Sequence, residues 1–319
     1  MKMPDTRVTN SQIKTFRRCS LRGHYEYREG FRPRVVSHKI NRGSVFHRAK
    51  EVQLCGGGEE DWRDAARVLG RELSVPDHEI EVSLVLAEAH QAKWKDNPKI
   101  IQTEVLFKAP ILHPDTWGVH PKYVATGRVD VIQQAGSSGE VILRDYKTTT
   151  RDASPGGPFY ESLLIDPQIS TYWLGVGEHA YTPVRWEHDV IRWPREPKKA
   201  TPPDKRKYTK DGTMYKSQRE HDEPLDEYLD AVKADLADRP DFYFQRIAVH
   251  RTEEQLKFHR RAVWSELERM EMAPSPNPEA CWASFGTCCP FWDVCQFGGH
   301  PSERPDLYAV LEDVHPELA

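Results

Sequence analysis

Two β-rich segments constrain this chain more than any other feature: GRVDVI at residues 127–132 and VILRDYKT at residues 141–148. Each is short, apolar and bounded by turn residues, which is the pattern of a strand. Gly136, Ser137, Ser138 and Gly139 lie between them and suit a hairpin connection. Side chains alternate along a strand, so Asp145 and Lys147, two positions apart, share one face. A hairpin would set Asp130 beside them.

That grouping suits phosphodiester hydrolysis. Mg²⁺ and Mn²⁺ prefer carboxylate and carbonyl oxygens, so Asp130 and Asp145 are candidate ligands. A metal held there would polarise a phosphate and lower the pKa of a water. Lys147 is placed to orient that water and to neutralise developing charge.

The rest of the chain alternates strand and helix patterns. Further strands are expected at residues 100–111, 123–133, 140–147, 184–193 and 242–249. Asn10 or Ser11 is expected to cap a helix carrying Ile13, Phe16 and Cys19. A second helix starts near residues 41–44, runs past Val52 and is broken by Gly56, Gly57 and Gly58. Helical spacing continues over residues 61–95, 167–179 and 224–237, and from Thr252 to about Met270. Mixed strands flanked by helices make the class α/β.

A net charge of −4 does not by itself point to nucleic acid, but whole-chain charge hides local fields. Residues 14–50 hold eleven Lys and Arg against two acids, and residues 195–219 hold nine against three. Phe16, Tyr25, Tyr27, Phe31, Tyr208 and Tyr215 are interspersed among them. Cations neutralise phosphates and aromatic rings stack on unpaired bases; solvated faces are the plainer explanation. Arg17, Arg18, Lys205, Arg206 and Lys207 are the candidate DNA-binding residues. Residues 195–222, rich in Pro, Lys and Asp, read as a long, mobile basic insertion.

No apolar run is long enough to span a bilayer, and the N-terminus has no apolar signal core. A soluble, cytoplasmic protein without membrane association is expected. Four of the six cysteines fall within fifteen residues: Cys281, Cys288, Cys289 and Cys295. Such crowding in a long chain points to a metal or cluster rather than a disulfide framework. Cys55 looks like a spare thiol. Because Cys19 lies far from the other four, the ends of the chain are expected to meet.

Taken together, these strings resemble the PD-(D/E)XK nuclease superfamily, and within it the RecB-like branch. Asp130 stands as the first acid and Asp145-Tyr146-Lys147 as the acid–x–lysine unit. GSVFH at residues 43–47 resembles the helix-borne histidine motif, which implies His47 as a third metal ligand. QISTY at residues 168–172 resembles the glutamine–x–x–x–tyrosine motif, which implies that Gln168 and Tyr172 support the active site. The backbone carbonyl of Tyr146 is a further candidate ligand. Glu104, on the strand before Asp130, is either an additional acid of the site or an outward-facing strand residue. The resemblance implies a restriction-endonuclease-like core: a mixed β-sheet flanked by helices, with a helical insertion.

The cysteine segment resembles the C-terminal end of iron–sulfur nucleases. This implies a 4Fe-4S cluster held by Cys19, Cys281, Cys289 and Cys295, with Cys288 as the alternate ligand. A Cys₄ zinc site uses the same ligand number and remains an alternative, as does a buried group of reduced thiols. The expected organisation is one nuclease domain over residues 1–319. Its parts are N-terminal helices (10–55), a helical insertion (56–98), a catalytic core (99–195), the basic insertion (196–222), returning helices and a strand (223–273) and the cysteine segment (274–300).

The implied activity is Mg²⁺- or Mn²⁺-dependent cleavage of DNA, as an exonuclease on single strands or ends. Phage recombination, DNA repair and CRISPR adaptation all fit, and which helicase or recombination partner it would have is not identified by the sequence. The alternative on the same fold is a non-catalytic DNA-binding or zinc-stabilised interaction module.

Overall fold

The computed structural model describes residues 5–35, 38–95, 99–135, 139–282 and 288–318. Residues 136–138 of the expected hairpin connector and residues 283–287 of the cysteine segment lie outside the described residues.

In chain order, β1 (Thr6–Val8), α1 (Asn10–Arg18), α2 (Ser20–Tyr27) and β2 (Phe31–Pro33) come first. A helical layer follows, α3 (His38–Leu54), α4 (Glu59–Glu72) and α5 (Asp77–Lys93). The central strands are β3 (Lys99–Leu112), β4 (Val119–Ala135) and β5 (Glu140–Thr149). After them come α6 (Pro158–Leu164), α7 (Pro167–Gly175) and β6 (Pro183–Arg192). Beyond the basic insertion lie α8 (Leu225–Asp238), α9 (Pro240–Tyr243), β7 (Phe244–Val249) and α10 (Glu253–Met270). The short α11 (Trp292–Phe297) and β8 (Tyr308–Val310) close the chain.

Local chemistry accounts for several boundaries. α1 is capped by Thr9, whose hydroxyl accepts from the Gln12 amide at 3.1 Å, and not by Asn10 or Ser11 as expected. α3 begins before the expected start at residues 41–44. The expected helical stretch 61–95 is two helices, interrupted where Ser74 takes a positive φ and Pro76 follows. α7 starts on Asp166, which accepts from the Gln168 amide at 3.0 Å, with Pro167 at the first helical position. Thr252 and Gln255 form a reciprocal capping box that opens α10.

One mixed sheet of six strands runs β1-β4-β5-β6-β7, with β3 also on β4. β3–β4, β4–β5 and β6–β7 are antiparallel, whereas β1–β4 and β5–β6 are parallel. The α/β class and the sheet-with-helices core are as expected. One edge of β4 is paired along its length by β3. The opposite edge is shared: β1 pairs up to Ala125 and β5 pairs from Val131 onward. Asp130 lies in the interval between those two partners.

Helices cover both faces. Phe46, Trp62, Leu84, Tyr228 and Phe244 pack under one face with Tyr146. Leu163 and Ile169 of α6 and α7 pack on the other with Phe107, Leu143 and Trp186. The ends of the chain do meet. β2 pairs β8 antiparallel, and the Leu21 amide donates to the Ser275 carbonyl at 3.1 Å. Tyr25, Phe31, Phe291, Val294 and Tyr308 form a separate small core at that junction.

The basic insertion is tied to its flanks by several hydrogen bonds. Arg195 holds Glu223 through two hydrogen bonds of 2.6 and 2.7 Å, and the Thr201 amide donates to the Arg219 carbonyl at 2.8 Å. No helix among the described residues is long and apolar enough to cross a membrane.

Candidate active site

β5 presents two different faces. Tyr146 and Arg144 point into the layer of α3 and α5, where Tyr146 packs edge-on against Phe46 and His90. Arg144 pairs with Glu187 at 2.9 Å in a buried network that also holds His90 against Asp189. Asp145 and Lys147 point the other way, toward α7. The alternation of the strand thus separates a structural polar layer from a reactive one.

On the reactive face Gln168 binds both members of the acid–lysine pair. Its Nε2 donates to Asp145 Oδ1 at 2.9 Å, and its Oε1 accepts from Lys147 Nζ at 2.9 Å. Lys147 Nζ also lies 2.8 Å from Asp145 Oδ2. Burial alone would lower Lys147; the Asp145 carboxylate outweighs it and leaves the ammonium raised. Burial would conversely raise Asp145, and Lys147 with His188 holds it well below the usual carboxylate range. Tyr172, one helical turn after Gln168, packs edge-on against Phe107 at 5.3 Å and stands behind Gly127. A Cβ at Gly127 would lie 2.6 Å from Phe107 and 2.8 Å from Tyr172, so only glycine allows α7 this close to β4.

Asp130 replaces a missing ladder partner. Where β5 parts from β4, the Tyr146 amide donates to Asp130 Oδ2 at 2.8 Å. His47 Nδ1 stands 3.4 Å from the same oxygen. Gly43 brings the helix there: a Cβ would sit 2.8 Å from Thr148 Oγ1, so α3 crosses β5 closely and carries His47 over Asp130. Burial and the neighbouring Asp145 carboxylate raise Asp130. Burial lowers His47, which favours the neutral, metal-binding imidazole.

Glu104 is not an outward-facing strand residue. It takes a positive φ of 50° in β3, pairs with Arg128 at 2.9 Å and is half-buried. Burial, followed by the charge of Asp130, pushes it up to about 7. His188, which the sequence reading did not single out, enters from β6 with Nδ1 3.7 Å from Asp145 Oδ2. Sequence gave no sign of it, because its position depends on which strand pairs β5.

The donor set fits a hard divalent cation. Asp145 Oδ2 is buried, with the Lys147 ammonium 2.8 Å away. Asp130, Asp145 and His47 are the O and N donor types that Mg²⁺ or Mn²⁺ accepts, but their ligand atoms are not all gathered within 4.8 Å of one another in this structure.

The model of the PD-(D/E)XK nuclease superfamily matches residues 7–296, which takes in every residue of this constellation. The chain belongs to the PD-(D/E)XK nuclease superfamily. Members of this superfamily are generally metal-dependent nucleases, in keeping with the donors just described. Comparison with curated protein sequences gives no match. Among solved structures, one titled "Crystal structure of SSO0001" is 11% identical, covers 86% of this chain and 81% of its own, and gives a TM-score of 0.35. That likeness is too weak to bear on fold or activity.

A second cluster lies where the two ends of the chain meet. Cys19, Cys281, Cys289 and Cys295 line one pocket with Arg18, Arg22, Tyr25 and Phe291. Cys19 sits at the joint between α1 and α2 in extended conformation, and the Cys289 amide donates to the Cys281 carbonyl at 2.7 Å. Burial, then the neighbouring thiols, pushes Cys295 up to about 11. Cys288 is exposed and outside that lining; Cys55 is exposed, 3.5 Å from the Thr103 hydroxyl. Four thiols around one pocket fit a thiolate-bound centre.

The basic stretches are less uniform than the sequence implied. Phe16, Tyr25 and Phe31 are buried in cores, whereas Tyr208 and Tyr215 are about half exposed. Arg17 and Arg18 are exposed, and Arg17 lies 3.5 Å from Glu266. Lys205 and Lys207 are exposed, but Arg206 donates to the carbonyls of Thr201 and Glu220 and holds the insertion together.

Proposed function

We propose that the chain is a Mg²⁺- or Mn²⁺-dependent deoxyribonuclease of the RecB-like type, acting as an exonuclease on single-stranded DNA or DNA ends. The observation that carries this reading is the double hydrogen bond of Gln168 to Asp145 and Lys147, beside the Asp130–His47 contact. His47, Asp130 and Asp145 would hold the cation, with the Tyr146 carbonyl and Glu104 as additional donors. A bound divalent ion supplies Lewis-acid polarisation of the phosphate and a lowered pKa for water.

Lys147 is kept cationic and oriented by Asp145 and Gln168. It directs its charge to where the attacking water and the developing negative charge meet. Tyr172 and Phe107 back α7 so that Gln168 keeps its reach. Lys205 and Lys207 would follow the phosphate backbone, and Tyr208 and Tyr215 offer faces for unpaired bases. Cys19, Cys281, Cys289 and Cys295 would hold a 4Fe-4S cluster, which ties the α1–α2 joint to the C-terminal segment; zinc would be held by the same set.

The test is cleavage of end-labelled single- and double-stranded DNA with Mn²⁺ by the parent, Asp145→Ala and Lys147→Ala. Loss of at least about 100-fold in each variant is expected. Equal cleavage by all three would remove the proposed site.

A further inference from the structure

Three side chains converge on Asp145, and only two of them belong to the motifs described above. The third is His188. The parallel ladder of β5 and β6 pairs Asp145 directly with His188, so both side chains leave the sheet on one face. The imidazole is completely buried. Its Nε2 lies 3.3 Å from the Leu163 carbonyl oxygen at the end of α6. A carbonyl only accepts, so Nε2 is the donor of that contact. Trp186 packs edge-on against the ring at 5.5 Å.

Nδ1 then faces Asp145 Oδ2 at 3.7 Å and has no hydrogen-bond partner. Here one nitrogen is anchored to the backbone and the other is turned to the carboxylate. Gln168 holds Oδ1 and Lys147 lies 2.8 Å from Oδ2, so the ring closes the remaining side of that oxygen. The buried ring packs on the Oδ2 side and limits how far the carboxylate can turn there.

We infer that His188 is a positioning residue for Asp145, setting the angle at which its Oδ2 meets a divalent cation and tying that angle to the end of α6. The inference rests on the reading of Asp145 as a metal ligand. Partners that orient ligating carboxylates are worth roughly 10–100-fold in metal affinity.

The experiment uses the full-length protein as parent, His188→Leu, His188→Gln and Asp145→Ala. Mn²⁺ alone is titrated by calorimetry without DNA, and kcat and KM are then measured on single-stranded DNA. His188→Leu should weaken Mn²⁺ binding by roughly 10-fold or more, with KM for DNA unchanged at saturating Mn²⁺. His188→Gln, which keeps a polar side chain able to donate to the Leu163 carbonyl, should recover part of the affinity. Unchanged Mn²⁺ affinity in a folded His188→Leu overturns the inference. So does loss of folding by both His188 variants, which would assign the ring to the core. Asp145→Ala separates the two readings. If it binds Mn²⁺ and cleaves like the parent, the nuclease site itself is wrong. If it loses both while His188→Leu matches the parent, only the role of His188 fails.

Discussion

Gln168 and Asp145 are joined by a 2.9 Å hydrogen bond from the glutamine Nε2 to the carboxylate Oδ1, and the other end of the same amide accepts from Lys147. A glutamine amide carries a donor and an acceptor at the two ends of one rigid group, so it can serve an acid and an ammonium at once. Gln168→Leu should therefore lower kcat by roughly 100-fold while leaving KM for DNA near the parent value. Steady-state kinetics on single-stranded DNA would show it. A proportional rise in KM with kcat intact would instead place Gln168 in substrate binding.

Metal affinity should depend on pH near neutrality. Glu104 is raised from its ordinary value of 4.5 to about 7, and Asp130 is raised as well. In the metal-free protein the folded form holds a proton that the unfolded chain has lost. The contribution of Glu104 to stability therefore falls as pH rises from about 4.5 to about 7 and levels off above that. A cation must displace the same protons, so Mn²⁺ binding should tighten from pH 6 to pH 8, with proton release. Calorimetry in two buffers of different ionisation enthalpy measures that release. Identical heats in both buffers would contradict the arrangement, and Glu104→Gln should reduce the difference.

Gly127→Ala should destabilise the fold, because its Cβ would press on Phe107 at 2.6 Å and on Tyr172 at 2.8 Å. Overpacking of this kind costs about 1–3 kcal/mol. A lowered melting temperature, with activity falling as α7 is pushed from β4, is the expected outcome. An unchanged melting temperature would mean that the helix yields without cost.

Within the basic insertion the cations should divide by role. Lys205→Ala with Lys207→Ala should weaken DNA binding and reduce the salt slope by about 1 to 2. Arg206→Ala should instead loosen the insertion, since its guanidinium is committed to the carbonyls of Thr201 and Glu220. Binding isotherms at several salt concentrations, paired with limited proteolysis, separate the two effects. Equal salt slopes for parent and double variant would put the insertion off the DNA path.

On the proposed cluster assignment, Cys289→Ser should abolish iron binding and its absorbance, whereas Cys288→Ser should retain both. Iron and zinc analysis of the purified variants checks this. Retention by Cys289→Ser with loss by Cys288→Ser would reverse the ligand assignment.

Much of this protein was legible from residue order alone. The alternation in residues 141–148 put Asp145 and Lys147 on one face, and the QISTY spacing put Gln168 and Tyr172 on one side of a helix. Both are local periodicities, fixed by backbone geometry before any packing occurs. The spread of cysteines correctly implied that the ends of the chain meet. Cap identity was less legible, because Thr9 and Asn10 offer similar chemistry and only the backbone turn chooses between them.

What tertiary structure alone decided are relations between segments distant in sequence. The pairing of β5 with β6 put His188 against Asp145, and the parting of β5 from β4 exposed the Tyr146 amide to Asp130. A positive φ and burial turned Glu104 from a surface acid into a neighbour of Asp130. The N-terminal aromatics became core and Arg206 became a brace. Sequence fixes which groups each segment can present. Strand order and burial set the distances and desolvation that give those groups their charge state and partners.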